Sequence, residues 1–204
     1  YLTYNSATMD VVDDPQYVKI MVKKKDSGTK TNVAAGNASL AGAVYAITYK
    51  ENGVDKTVQK TTNSSGILYF TNVPLGEIKI QEISAPVGYK LDSTVHTYNV
   101  TSDKVTSAVY EMEPEDFTED VFKGHIQIIK QIEMLGADAQ LEQGAEYQVY
   151  LKSAGSYANA KDTERDYLVT GADGKATTKD LPYGTYTLHQ LRACRGGEFK
   201  DMDD

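Results

Sequence analysis

Repetition constrains this chain more than any other feature: three blocks of its first half return, in the same order, in its second. I-M-V-K-K (Ile20 to Lys24) returns as I-Q-I-I-K (Ile126 to Lys130), an offset of 106 (130 − 24). L-A-G-A-V-Y returns as L-E-Q-G-A-E-Y, with Ala145 on Ala43 at 102 (145 − 43). S-G-I-L-Y-F-T-N-V-P-L-G-E-I-K-I-Q-E returns as D-G-K-A-T-T-K-D-L-P-Y-G-T-Y-T-L-H-Q, with Gly184 on Gly76 and Gln190 on Glu82, both at 108 (190 − 82). Offsets that differ only by loop insertions point to tandem units of one fold.

The period inside the blocks is two. Glu77 to Glu82, E-I-K-I-Q-E, places Ile78, Ile80 and Glu82 on one strand face. In Tyr17 to Asp26 the face of Val18, Ile20 and Val22 continues to Lys24. Two apolar faces thus close on ionisable residues of opposite type. A buried carboxylate must be protonated, paired or hydrogen-bonded. A partly exposed strand-end salt bridge, worth about 0 to 1 kcal/mol, is the plainer reading of the same pair.

Around these faces the sequence predicts short strands over Val18 to Lys24, Leu40 to Tyr49, Val54 to Thr62, Ile67 to Phe70, Glu77 to Glu82, Thr94 to Val100 and Lys104 to Met112. Turn chemistry separates them: Asp26-Ser27-Gly28, Asn52-Gly53, and Pro86 with Gly88. No helical apolar stripe persists. Fifteen Tyr, four Phe and no Trp suit half-exposed antiparallel strands. The expected class is all-β, as tandem antiparallel sandwiches.

Domain limits follow from composition. Residues 1–16, ending V-V-D-D-P-Q, read as the tail of a preceding unit or a linker, and 17–113 as the first sandwich. Residues 114–123 fall in a stretch, Glu113 to Phe122, with five carboxylates and a proline, and read as an acidic linker. Residues 124–204 form a second unit, truncated after Gln190 because no further strand blocks follow. The chain opens as Y-L-T-Y-N, without a signal sequence, and is expected to be a piece of something longer.

Several function classes lose support. A net charge of −8 without a basic stripe argues against nucleic acid. No run of 18 apolar residues spans a membrane. One cysteine, Cys194, permits neither an internal disulfide nor a cysteine zinc cluster. His96, His125 and His189 share no ligand spacing, and the acidic stretch lacks a calcium-loop order, so no metal and no cofactor are expected. No nucleophile or phosphate-loop motif marks an enzyme.

The order K-x-D, L-x-G-A-x-Y, L/V-P-x-G, then an alternating strand ending E-x-x-A-P-x-G-Y, resembles the Cna protein B-type repeat. That prealbumin-like, immunoglobulin-like sandwich builds stalks and pilin shafts of Gram-positive surface proteins. The likeness covers 17–112 well and 124–190 in part. It implies an extracellular, cell-wall-associated spacer whose partners are neighbouring repeats of the same surface protein.

The resemblance also implies an intramolecular isopeptide bond, in which a first-strand Lys joins a last-strand Asn or Asp with help from a Glu. Lys24 takes the amine role and Glu82 that of proton shuttle. Burial disfavours charge on an amine and on a carboxyl alike, so a nucleophilic neutral amine can coexist with a protonated acid. The acceptor is the departure: Met112 occupies the family position, and Asn99, on the strand before, is the remaining candidate although alternation turns it outward. Asp13 fits the acceptor position of a preceding unit. In the second unit Lys130 matches, but Gln190 replaces the acid and cannot relay a proton. The rival expectation is a module that grips glycan or host matrix protein through its longest loops, Thr29 to Ser39 and Ser153 to Arg165.

Overall fold

The computed structural model describes residues 15–105, 107–114, 117–134 and 137–192. Asp13 and Cys194 lie outside the described residues, as does nearly all of the expected leading tail. The first unit comprises β1 (Tyr17–Asp26), β2 (Val44–Glu51), β3 (Val54–Thr61), β4 (Ile67–Pro74), β5 (Gly76–Ser84), β6 (Val95–Val100), β7 (Val109–Met112) and β8 (Phe117–Glu119).

Two sheets face each other. One runs β3-β2-β5-β6 and is antiparallel throughout. The other centres on β1, with β4 antiparallel on one side and β7, then β8, parallel on the other. Parallel neighbours cannot be joined by a hairpin, so the chain crosses from one sheet to the other between β6 and β7, through a 3-10 turn at Ser102–Lys104. That turn is why the expected strand from Lys104 shrinks to Val109–Met112. Similarly, Gly42 at φ +96° holds the chain out of extended geometry, and β2 begins only at Val44. Asn52 and Gly53 both take positive φ, as a two-residue hairpin turn demands.

The alternation read in the sequence is the burial pattern observed. Val18, Ile20 and Val22 of β1 pack with Leu68, Phe70 and Val73 of β4 against Tyr45, Ile47, Ile78 and Ile80 of the opposite sheet. On β1 the pattern runs one inward step further than expected, to Asp26.

The second unit repeats this plan in β9 (Lys123–Gly124), β10 (Gln127–Ile129), β11 (Gln131–Met134), β12 (Ala137–Leu141), β13 (Glu146–Leu151), β14 (Arg165–Val169), β15 (Lys175–Thr177), β16 (Leu181–Pro182) and β17 (Tyr186–Arg192). Its pairing keeps the first unit's register. Tyr17↔Pro74 and Met21↔Tyr69 recur as Lys123↔Pro182 and Gln127↔Thr177, each displaced by 106 on one strand and 108 on the other (123 − 17, 182 − 74). Sheet β14-β13-β17 corresponds to β3-β2-β5. A smaller core, Ala145, Tyr147, Val149, Leu168 and Leu181, fills this unit. Among the described residues, nothing pairs with the edge of β10 that corresponds to the β7 and β8 side of β1. No helix among them is long and apolar enough to cross a membrane.

Candidate functional site

Strand alternation carries an amine and two carboxyls into one buried compartment. Lys24 follows Val22 on the inward face of β1, and Glu82 follows Ile80 on that of β5. Glu119 follows Phe117 on β8, which lies beside Lys24 because Lys24↔Phe117 and Asp26↔Glu119 are in register. The three side chains are 0%, 1% and 3% exposed, which rules out the plain surface salt bridge.

Lys24 Nζ donates to Glu82 Oε1 at 3.0 Å and contacts Glu119 Oε1. The Tyr45 hydroxyl donates to the same Glu119 oxygen at 3.3 Å, while Glu119 Oε2 has no hydrogen-bond partner among the described residues. Glu82 Oε2 accepts the backbone N–H of Asp92 at 3.3 Å. Aromatic rings wall the compartment. Phe117 packs tilted on Tyr45 at 5.3 Å, His96 meets Phe117 edge-on at 4.9 Å, and the Tyr89 ring lies 5.6 Å from Lys24 Nζ.

Electrostatics separates the carboxyls. Burial, and next the adjacent Glu82 carboxyl, push the Glu119 acid up to about 8 against the opposing pull of Lys24. Glu119 is therefore a neutral carboxylic acid through most of the physiological range. Burial, with Glu82 and Glu119 alongside, also holds the Tyr45 phenol well above its ordinary value, so it remains a donor. Below the compartment, buried Asp26 takes the N–H groups of Gly28 and Thr29 on one oxygen and the Tyr89 hydroxyl on the other, each at 2.8 Å.

The structure thus joins Lys24 with Glu82 and leaves Asn99 apart. Asn99 is exposed on β6, opposite Glu77, on the face that alternation assigns it. The residue missed is Glu119, inside the stretch read as an acidic linker, which in fact carries β8. A signal for it existed: Asp13 stands 11 positions before Lys24 (24 − 13) and Glu119 stands 11 before Lys130 (130 − 119). In the second unit Lys130 Nζ lies 3.4 Å from Gln190 Oε1 and 4.0 Å from Glu142 Oε2, so the pairing of amine with β5-type side chain is kept without the acid. No cluster of three or more His, Cys, Asp or Glu among the described residues is arranged for a metal ion.

Comparison with known proteins reaches the same architecture. Residues 18–114 match the family described as "SpaA: Prealbumin-like fold domain". A trypsin-resistant surface T6 protein of Streptococcus pyogenes serotype M6 is 35% identical over 91 residues, 45% of this chain and 15% of that protein. Among solved structures, the Bacillus anthracis TIE protein aligns over 93% of this chain and 30% of its own, with 25% identity and a TM-score of 0.61. The C-terminal fragment of pilus adhesin SpaC from Lactobacillus rhamnosus GG aligns over 89% of this chain and 78% of its own, at 20% identity and a TM-score of 0.49. The chain spans only a small part of the T6 and TIE proteins.

Proposed function

We propose that this chain, whose residues 18–114 match the SpaA-type prealbumin-like fold domain, is a load-bearing spacer of a bacterial surface or pilus protein, its first unit locked by an amide between Lys24 and Glu119. The work is positional, and the bond is made once in each molecule's life, so the chain is a structural element and not a turnover enzyme. Its surroundings are extracellular, at the Gram-positive cell wall, and its partners are the neighbouring units of the same surface protein.

One observation carries the cross-link: a fully buried lysine amine hydrogen-bonded to one acid and in contact with a second that burial keeps protonated. A proton passes from Lys24 to Glu82 along their hydrogen bond, leaving a nucleophilic amine. The Nζ lone pair attacks Cδ of Glu119, whose carbonyl is polarised by Tyr45. A second proton leaves Nζ and travels through Glu82 to the departing hydroxyl. The C–OH bond breaks, one water is released, and an Nε-acyl lysine remains. The folded core supplies the effective concentration that makes an acid and an amine condense. Glutamate stands here where the family resemblance implied Asn or Asp; the chemistry is that of the Asp case, with one more methylene.

The bond closes a loop of 95 residues (119 − 24), and restricting the unfolded chain that far stabilises by about 4.7 kcal/mol. Intact mass tests it. The purified chain is expected about 18 Da below its sequence mass, the weight of the water lost in condensation. Glu119→Ala and Lys24→Ala are expected at full mass. A native chain at full mass removes the cross-link and leaves the spacer reading standing. A mass deficit that survives Glu119→Ala places the acceptor elsewhere.

The reading of the chain as a ligand-gripping module has less to draw on. The two loops named for it meet each other: Asn37 Nδ2 donates to Ser153 Oγ at 3.0 Å and Gly36 N–H to Glu164 Oε1 at 3.0 Å.

A further inference from the structure

We propose that the loop Ala35–Ala38 of the first unit is a plug seated in the Tyr183–Thr185 turn of the second, and that it fixes the two units as one rigid body. This goes beyond the cross-link and does not depend on it. Asn37 sits at the centre. Its backbone N–H donates to the Tyr183 carbonyl at 2.8 Å, its Nδ2 to Ser153 Oγ at 3.0 Å, and its Oδ1 accepts the Thr185 N–H at 3.0 Å. One side chain thereby bridges two separate elements of the other unit. Beside it, the Gly36 N–H donates to Glu164 Oε1, on a residue 4% exposed, and Lys161 Nζ reaches the same oxygen at 3.1 Å.

Sterics point the same way. A Cβ on Gly36 would stand 2.3 Å from the Tyr183 carbonyl oxygen. One on Gly88 would meet Ala38 Cβ at 2.6 Å and Tyr183 Cδ1 at 2.9 Å, and one on Gly184 would meet Leu151 Cδ1 at 2.6 Å and Asn37 Oδ1 at 2.9 Å. Three glycines surround one contact, and at each an added side chain would meet an atom of the other unit inside 3 Å. Gly36 and Gly88 also adopt positive φ.

The covalent connection has no slack either. The Lys90 N–H donates to the Asp120 carbonyl at 3.0 Å, and Tyr89 bridges to Val121. At Phe122 one residue faces both ways: its N–H donates to Gly88 of the first unit and its carbonyl accepts the Tyr183 N–H of the second, each at 2.8 Å. Leu40, Tyr89 and Val121 bury a small core beneath Ala34, Ala35 and Ala38, so the plug rests on the connector it braces. Relative motion is the ordinary expectation for tandem domains joined by a short polar connector. Here backbone hydrogen bonds and glycine contacts fill the place where a hinge would sit.

Pulsed dipolar spectroscopy on the full chain tests this, with spin labels at Gln59→Cys on β3 and Lys175→Cys on β15 in a Cys194→Ser background. The native plug is expected to give one narrow distance distribution. Asn37→Ala, an exposed loop change that leaves both cores intact, is expected to broaden it about twofold or more as the units regain independent motion. Gly36→Val is expected to broaden it by collision with Tyr183 while keeping Asn37. Broadening in either variant supports the plug. A native distribution that is already broad, or a narrow one unchanged in both variants, overturns it. Intact mass, read on the same samples, reports the cross-link separately, so the two proposals fail independently.

Discussion

At the scale of residues, the compartment holds one cation and two acids, and that imbalance decides its chemistry. Two carboxylates cannot both stay ionised beside a single ammonium in a dry site, and the burden falls on Glu119, which burial pushes up to about 8. In the proposed condensation Glu82 is then the group that moves protons. Glu82→Gln keeps the hydrogen bond to Lys24 and loses the relay, so this variant is expected to fold and to retain its full mass. Glu119→Gln is expected to react with loss of ammonia instead of water. Its product is the same amide, and mass spectrometry should find the native chain and this variant converging on one mass. A chain without the lock also has a defined pH response. In Lys24→Ala the group that pulls Glu119 down is gone while burial and Glu82 remain, so Glu119 keeps its proton to higher pH folded than unfolded and folding takes up a proton above the ordinary value of 4.5. Its contribution is complete below that value and lost as pH rises through the folded one. Melting temperatures of Lys24→Ala should therefore fall from pH 5 to pH 9 more than those of Lys24→Ala/Glu119→Gln, whose residue 119 does not titrate.

At the scale of elements, what was legible depended on strand length. β1 and β5 are 10 and 9 residues long, enough alternation to assign Lys24 and Glu82 to the inner face before any coordinates. β8 has 3 residues, too few for a period to declare itself, and its acidic neighbours gave it the composition of a linker. Its place is set by tertiary pairing with the C-terminal half of β1, which β7 leaves open. Asp26 was hidden for a different reason. Asp-Ser-Gly is ordinary turn chemistry, and the side chain does bond Gly28 and Thr29 as a turn aspartate would. Nothing local signals that its second oxygen receives Tyr89, 63 positions away, and that β1 therefore ends in the core. Asp26→Ala would leave that hydroxyl and two N–H groups without their partner, and a loss of about 3 kcal/mol is expected in denaturant unfolding. A loss under about 1 kcal/mol would mean that water replaces the carboxylate and that the turn is held from elsewhere.

At the scale of the whole molecule, the positions of Lys24 and Glu119 decide how tension travels. Force entering at the N-terminal side runs along β1 and leaves through β8 into the connector at Phe122. Because β1 and β8 are parallel neighbours, pulling the start of one against the end of the other shears their ladder, so its hydrogen bonds resist together. The proposed amide from Lys24 to Glu119 would lie on this path and bypass the residues between them. A stretched native chain should therefore release none of that length. In Glu119→Ala the same 95 residues (119 − 24) become available, adding roughly 320 Å of contour at ~3.4 Å per residue. Single-molecule extension with handles at the two chain ends measures the difference directly. Equal contour lengths for the native chain and Glu119→Ala would mean that the compartment holds an ion cluster and that the first unit bears load by hydrogen bonds alone. The second unit has Gln190 in place of the acid, so no lock is expected there and its full length should appear in both chains.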